Sequence, residues 1–460
     1  MSAPTYKVLN PATGEVVEEF NAATDDQVQQ ALTAAQSAYE SWQDVDITER
    51  AKIVSKVGAL FAERAAELGK IMTTEMGKPL SEAVGEAEFC QEIFEYFATE
   101  GPTLAADQEI KSFSGGKAIV QKRPVGPLLG IMPWNFPLYQ VARFAAPNLM
   151  LGNTIILKHA ESCPRSALAI QEIMDEAGVP AGVYNNLFAT HDQISTIIAD
   201  SRVQGVSLTG SERAGAIIGE QAGRNLKKAV LELGGSDPFV VLDSDDVSGI
   251  VDTAWGYRID NTGQACNSNK RMIVMDDIYD EFVSELTKRA EGLKPGDPME
   301  EAEGTFAPLS SRQAAEALHE QVQDAVAKGA TLHAGGVLHD GPSAYYSPAV
   351  LTGITKDMRA YYEELFGPVA VVYKVSSDEE ATELANDTIY GLGGSVHSTD
   401  VERASKVAQK LQSGMTNVNA ASAEGAEMPF GGVKRSGFGR ELGPLGMDEF
   451  VNKRLFYVGE

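Results

Sequence analysis

Five short segments carry residue types that can do chemistry. Cys266 closes the loop Gly263-Gln264-Ala265-Cys266. A thiol in such a loop is a candidate nucleophile, although an isolated cysteine is more often simply packed. Upstream, Leu231-Glu232-Leu233-Gly234-Gly235 carries a carboxylate out of an apolar run into a glycine turn. The edge of a parallel sheet is where α/β proteins gather their sites. A partly buried carboxylate there has a raised pKa and suits a general base. In Pro133-Trp134-Asn135-Phe136-Pro137 two prolines fix the backbone around Asn135, whose amide can donate to a developing oxyanion. Glu364 and Phe366 follow an acidic run in Glu363-Glu364-Leu365-Phe366-Gly367-Pro368, and residues 429–443 form a glycine-dense basic loop. A loop of that composition permits a close backbone approach. Each segment alone also has an ordinary structural reading: a packed thiol, a solvated glutamate, a turn.

The elements around these segments must bring them together. Short apolar runs at 154–158, 184–188, 203–208, 229–233 and 238–242 predict strands, with helices starting near Pro164 and Ser211. A second alternating set follows Cys266: RMIVM, PVAVVYKV, GGSVH and MTNVN as strands, with helices over 310–328 and 400–411 between them. Repeated strand–helix alternation predicts an α/β chain with parallel sheets covered on both faces. Before them, Thr24 and Gln27 have capping-box spacing. Apolar residues from Ile53 to Met72 predict one helix ended by Met76-Gly77-Lys78-Pro79, and Phe89, Ile93, Phe94 and Phe97 form a core-facing stripe. Ser114-Gly115-Gly116 suits a tight turn between two strands, and RLFYV is a last strand.

Together the segments resemble the aldehyde dehydrogenase superfamily. PWNFP, KHAE, LTGS, ELGG, GQAC, EELFGP and PFGGVKRSGFGRE occur in the family's order along nearly the whole chain. The resemblance implies two Rossmann-like parallel-sheet domains plus a small β bridging element. A cofactor-binding domain would span 1–107 and 125–233, a catalytic domain 234–428, and a bridging, oligomerising element 108–124 and 446–460. It implies that Cys266 is the nucleophile and that Asn135, with the Cys266 backbone N–H, holds the oxyanion. Glu232 would activate the water that releases an acid from a thioester. It further implies a cofactor held by Trp134, Lys158, Glu161, Gly210, Ser211, Glu364 and Phe366. An ordinary GxGxxG fingerprint is absent, in keeping with the superfamily.

Arg143 stands where succinate-semialdehyde dehydrogenases carry an arginine that grips the distal carboxylate, a task suited to a guanidinium. The resemblance is strongest to the shorter, bacterial branch of those enzymes. It therefore implies oxidation of succinate semialdehyde to succinate, with a broad aliphatic aldehyde dehydrogenase as the alternative. The family's second arginine, six residues before the nucleophile, is replaced by Asp260, for which Arg258 is a candidate partner. Glu441 resembles a second carboxylate used in proton relay. Phe144 occupies the place of the lysine that usually accompanies it, so Glu441 is expected to lack a partner. Glu161 can accept from both ribose hydroxyls and would repel a 2′-phosphate, which favours NAD, with NADP as a second option.

Composition narrows the rest. The 460 residues carry a formal charge of −27, which disfavours nucleic acid and anionic membranes as partners. Three widely separated cysteines, Cys90, Cys163 and Cys266, argue against a disulfide framework, and six scattered histidines against a metal site. Cys90 and Cys163 read as structural. The N-terminal segment lacks the pattern of a secretory signal, so a cytoplasmic homo-oligomer, dimer or tetramer, is expected.

Overall fold

The computed structural model describes residues 6–113 and 115–459. Its largest elements are two mostly parallel sheets. The six-stranded one has the spatial order Gly437–Phe438, Lys228–Glu232, Gly205–Thr209, Pro127–Met132, Thr154–His159, Tyr184–Asn186. Leu128, Leu129, Ile155 and Ile156 are fully buried. Burial of side chains that alternate between the two faces is what a parallel sheet covered by helices on both sides requires. From Pro127–Met132 the chain first builds outward on one side, then returns to add Gly205–Thr209 and Lys228–Glu232 on the other. This reversal leaves a crevice at the strand ends. The 133–137 segment leaves one side of it, and Gly210-Ser211 the other.

The seven-stranded sheet runs Thr331–Ala334, Ala349–Thr352, Val369–Val375, Arg271–Met275, Pro238–Val241, Ser395–His397, Asn417–Val418, parallel throughout except for its first strand. A three-stranded antiparallel sheet pairs Val451–Val458 with Lys117–Pro124, and that strand with Gln108–Ile110. Gly437–Phe438 pairs antiparallel with Lys228–Glu232 and so lays the glycine-dense loop over Glu232.

The predicted strands lie where their apolar runs place them, usually trimmed at the ends, but Pro127–Met132 at the centre of the six-stranded sheet and Thr331–Ala334 and Ala349–Thr352 at one edge of the other were not foreseen. Thr24 and Gln27 close a capping box, with Gln27 N–H donating to Thr24 Oγ1 at 3.2 Å and Thr24 N–H to Gln27 Oε1 at 2.8 Å. The single helix expected over Ile53 to Met72 is two, Ile47–Glu63 and Ala65–Met76, broken at Arg64. Apolar spacing alone does not register such a break, because both pieces bury the same stripe. The hairpin Tyr6–Asn10 with Glu15–Phe20 is also unforeseen. Glu15–Phe20 is entirely exposed or half-exposed, so it carries no buried alternation to signal a strand. Of the turn expected at 114–116, Ser114 lies outside the described residues. Gly115 and Gly116 both have positive φ. Among the described residues no helix is long and apolar enough to cross a membrane.

Candidate active site

The loop carrying Cys266 is shaped by what precedes it. Helix Val247–Ile259 ends, and Asn261 and Thr262 turn left-handed, with φ of 49° and 55°. Non-glycine residues hold that conformation only when their surroundings impose it. Here Asn261 donates its amide to Asn135 O at 2.8 Å, and Asn135 donates its own to Gln264 O at 3.0 Å. The oxyanion candidate is thereby tied to the nucleophile's loop, with one amide hydrogen engaged. From the other side, buried Glu86 accepts from Leu138 N–H at 2.8 Å and Tyr139 N–H at 3.0 Å, and pairs with buried Lys78. Those contacts anchor the far end of the 133–137 segment.

Two more buried cations lie behind the loop. Arg258 donates to the carbonyls of Val369 (2.8 Å), Gly263 (3.2 Å), Leu365 (2.7 Å) and Gly367, and to Ser268 Oγ (2.9 Å). It staples the Cys266 loop to the Glu364 loop and is not the partner of Asp260. Lys270 donates to Ala265 O at 2.7 Å and Cys266 O at 2.8 Å, and pairs with Glu364 Oε1 at 3.1 Å. The glycines of the 231–235 motif make room for this packing. A Cβ on Gly235 would stand 2.4 Å from Cys266 O, and one on Gly234 2.4 Å from Glu364 Oε2.

Cys266 lines a cavity of about 230 Å³, small for a ligand pocket. Phe136, Tyr139, Tyr257 and Phe430 form much of its wall, and Glu82, Asp260 and Glu424 supply carboxylates. Burial pushes the Cys266 thiol up to about 12, with Arg143 and Lys270 opposing the rise and Glu364 and Glu232 adding to it. Glu82 is pushed up to about 8, by burial first and then by Asp260.

Glu232 is buried with neither carboxylate oxygen hydrogen-bonded. Burial, and then the charge of Glu441, raise its pKa well above the carboxylate range, with Arg143 pulling the other way. Glu441 accepts from Ser207 Oγ at 3.3 Å and lies 2.8 Å from Arg143 Nε. Two carboxylates thus share one arginine. Glu441 holds the closer contacts, and burial raises the pKa of both carboxylates.

This geometry corrects two expectations. Arg143 does not present its guanidinium to the cavity. It is fully buried, 4.7 Å from the Tyr139 ring centroid and 4.3 Å from that of Phe430, hydrogen-bonded to Gln140 and paired with Glu441. Helix Tyr139–Leu151 is buried at every position after Tyr139, so an arginine there must find an internal anion. Glu441 is therefore not without a partner: Arg143 supplies the cation that Phe144 cannot. Phe144 instead packs edge-on to Phe450.

The expected cofactor residues lie along the crevice of the first sheet. Lys158 and Glu161 pair at 3.2 Å where strand Thr154–His159 ends. Ser211 caps helix Glu212–Arg224, its hydroxyl accepting from Ala214 N–H at 3.3 Å. Gly210 spends its N–H on Glu232 O at 2.9 Å, which leaves it no donor for a phosphate. Next to it, the buried Thr209 hydroxyl has no partner. Trp134 stands edge-on to Phe366, with centroids 5.7 Å apart. Carboxylates at Glu161 and Glu364, which accept from hydroxyl groups, flank a helix N-terminus, which favours anions. Sequence reasoning missed Lys270. The available signal was a lysine four residues after the thiol in an acidic chain.

Comparison with known proteins agrees with the geometry. The model of the aldehyde dehydrogenase family matches residues 1–455. A succinate-semialdehyde dehydrogenase [NADP(+)] of Deinococcus radiodurans is 51% identical over 450 residues, covering 98% of this chain and 94% of the relative. One from Mycobacterium tuberculosis is 40% identical over 452 residues, covering 98% and 99%. The crystal structure of succinic semialdehyde dehydrogenase from Streptococcus pyogenes, in complex with NADP+, superposes with a TM-score of 0.96 at 44% identity, covering 99% of this chain and 100% of that one.

Glu232 gives a prediction about stability. Its folded pKa lies above the unfolded value of about 4.3. The stability it contributes is full below that unfolded value and is lost as pH rises toward the folded one. Glu232→Gln cannot lose this proton. Thermal unfolding at pH 5 and pH 8 should show the variant gaining on the wild type as pH rises, by up to about 1.4 kcal/mol per pH unit. A difference that does not change with pH would mean Glu232 is ionised in the fold.

Proposed function

The chain belongs to the aldehyde dehydrogenase family, and on that premise we propose how it oxidises an aldehyde to a carboxylic acid. Cys266 adds its sulfur to the aldehyde carbon. The second amide N–H of Asn135 and the Cys266 backbone N–H hold the resulting oxyanion. An oxidised nicotinamide, held by Glu364 and Phe366, would supply the hydride acceptor when bound. Loss of hydride from the thiohemiacetal leaves a thioester on Cys266. Glu232, once deprotonated, takes a proton from a water that attacks the thioester carbon. The carbon–sulfur bond breaks and the acid leaves. What supports this reading is the convergence of Cys266, Asn135 and Glu232: Asn135 is bonded into the nucleophile's loop, and Glu232 lies close enough for its charge to bear on the thiol. Arg143 holds Glu441 and lowers the cost of a thiolate nearby.

We infer succinate semialdehyde as the substrate. The relatives named above act on it, and the Tyr139 hydroxyl, 3.5 Å from Arg143 Nη1, gives the cavity wall a donor backed by a buried cation. A specific observation favours a second reading, a broad aliphatic range. No lysine or arginine lines the cavity, while Glu82, Asp260 and Glu424 do. Among the described residues, none of these three has an ion-pair partner. For the cofactor we infer NAD, with NADP accepted more weakly. Glu161 would face a 2′-phosphate, and only Lys158 and half-exposed or exposed groups offset it. The two relatives are NADP enzymes by name, so Glu161 is the residue to test. Exposed Leu455, Phe456, Tyr457 and Val458 on the edge strand Val451–Val458 support a homo-oligomer. A cytoplasmic location accords with the free cysteines.

Two measurements test these readings. Steady-state rates with succinate semialdehyde and with butanal should favour the semialdehyde. Asp260→Asn should raise kcat/KM for the semialdehyde about fivefold, the effect of roughly 1 kcal/mol of like-charge repulsion, and leave butanal unchanged. Equal wild-type rates would favour the broad range. With the cofactors, Glu161→Gln should raise the NADP-to-NAD ratio of kcat/KM about tenfold. An unmoved ratio would remove Glu161 as the discriminator.

A further inference from the structure

The nucleophile loop and the Glu364 loop are joined twice, and the two joints differ. Arg258 spends its guanidinium on backbone carbonyls and a serine hydroxyl, which makes it a pure staple. That staple already fixes one loop on the other. Lys270 is a second buried cation, its side chain 1% exposed, on the short turn between Cys266 and strand Arg271–Met275. An ammonium has three N–H groups. Here they meet three acceptors: Ala265 O at 2.7 Å, Cys266 O at 2.8 Å and Glu364 Oε1 at 3.1 Å. Burying a lysine is costly unless its charge is matched. Among the described residues its ion-pair partner is Glu364, and the buried carboxyl of Asp237 also feels its charge. Glu364 in turn accepts from Gly235 N–H at 3.1 Å and packs where Gly234 has no side chain.

We propose that Lys270 is a positioning residue that links the state of Glu364 to the reactivity of Cys266. The inference rests on the reading that Glu364 receives the nicotinamide ribose. Four titratable groups bear on the thiol: Arg143 and Lys270 favour the thiolate, Glu364 opposes it, and Glu232 opposes it when ionised. While Glu364 faces Lys270 alone, each masks the other. Hydroxyl groups donating to Glu364 disperse its negative charge, and the ammonium then acts more fully on Cys266. Through its bonds to the Cys266 and Ala265 carbonyls it also holds the thiol's backbone in place while this happens. The thiol is thus activated when the site beside it fills, with no movement of the loop.

Iodoacetamide alkylation of Cys266 tests this without turnover: a sulfur–carbon bond forms and iodide leaves, at a rate set by the thiolate. In wild type, saturating NAD should accelerate alkylation. In Lys270→Met the unliganded rate near neutral pH should fall about tenfold, the pH midpoint should rise by about one unit, and the response to NAD should disappear. Lys270→Arg should recover part of it. A wild-type pH profile and NAD response in Lys270→Met would overturn the proposal. Should that variant fail to fold by circular dichroism, Glu364→Gln cuts the other end of the link. It should raise the unliganded rate, and an unchanged or lower rate would overturn the proposal. NAD affinity is read separately by tryptophan fluorescence. Wild-type affinity in Glu364→Gln would sink the ribose reading alone, since the unliganded rates do not depend on it.

Discussion

Burial of positive charge beside a thiol is the constraint on which the rest of this site depends. Arg143 and Arg258 are fully buried and Lys270 nearly so, in a chain whose formal net charge is −27. Such cations persist only when their charge is compensated. Arg258 is matched by carbonyls, Lys270 by carbonyls and Glu364, and Arg143 by Glu441, Gln140 and two aromatic faces. Meeting these demands fixes the loops. The Cys266 loop must lie against 365–369, the glycine pair at 234–235 must pass beneath it, and the C-terminal loop must bring Glu441 to Arg143.

The negative charges follow from the same arrangement. Glu232 and Glu441 compete for Arg143, and burial lifts Glu232, the one without hydrogen bonds, well above the carboxylate range. A carboxylate with a raised pKa is the stronger base once it ionises, which suits the last step proposed for the reaction. The cavity carboxylates Glu82, Asp260 and Glu424 have no direct ion-pair partner among the described residues; Glu82 accepts from Asn261 N–H at 2.8 Å, and the charge of Lys78 acts on Glu82 and Asp260. The constraint that makes Arg143 useful to the catalytic residues also withdraws it from direct contact with substrate.

Much of this was legible in the sequence, for particular reasons. Cys266, Glu232 and Asn135 lie in segments whose glycines and prolines imply fixed backbones, and the strand runs that position them are apolar on both faces. The direction of Arg143 was not legible from its spacing to Asn135. Its neighbours were the clue: Val141-Ala142-Arg143-Phe144-Ala145-Ala146 has no polar face, so the arginine must point inward. The stapling roles of Arg258, expected only as a partner for Asp260, and of Lys270 were not legible, for a different reason. Their partners are mostly backbone carbonyls, which leave no mark in a sequence. The break at Arg64 escaped because it does not change the pattern of buried residues, and the strand Glu15–Phe20 because it buries none.

The account stands or falls on the division of labour between Cys266 and Glu232. Mixing Glu232→Gln with aldehyde and NAD in a single-turnover experiment, with intact-protein mass measured in parallel, tests it most directly. The account predicts a burst of about one equivalent of reduced cofactor per chain, then a stall, with the acyl mass retained on Cys266. Sustained turnover at the wild-type rate, or no burst and no adduct while the protein remains folded, would contradict it.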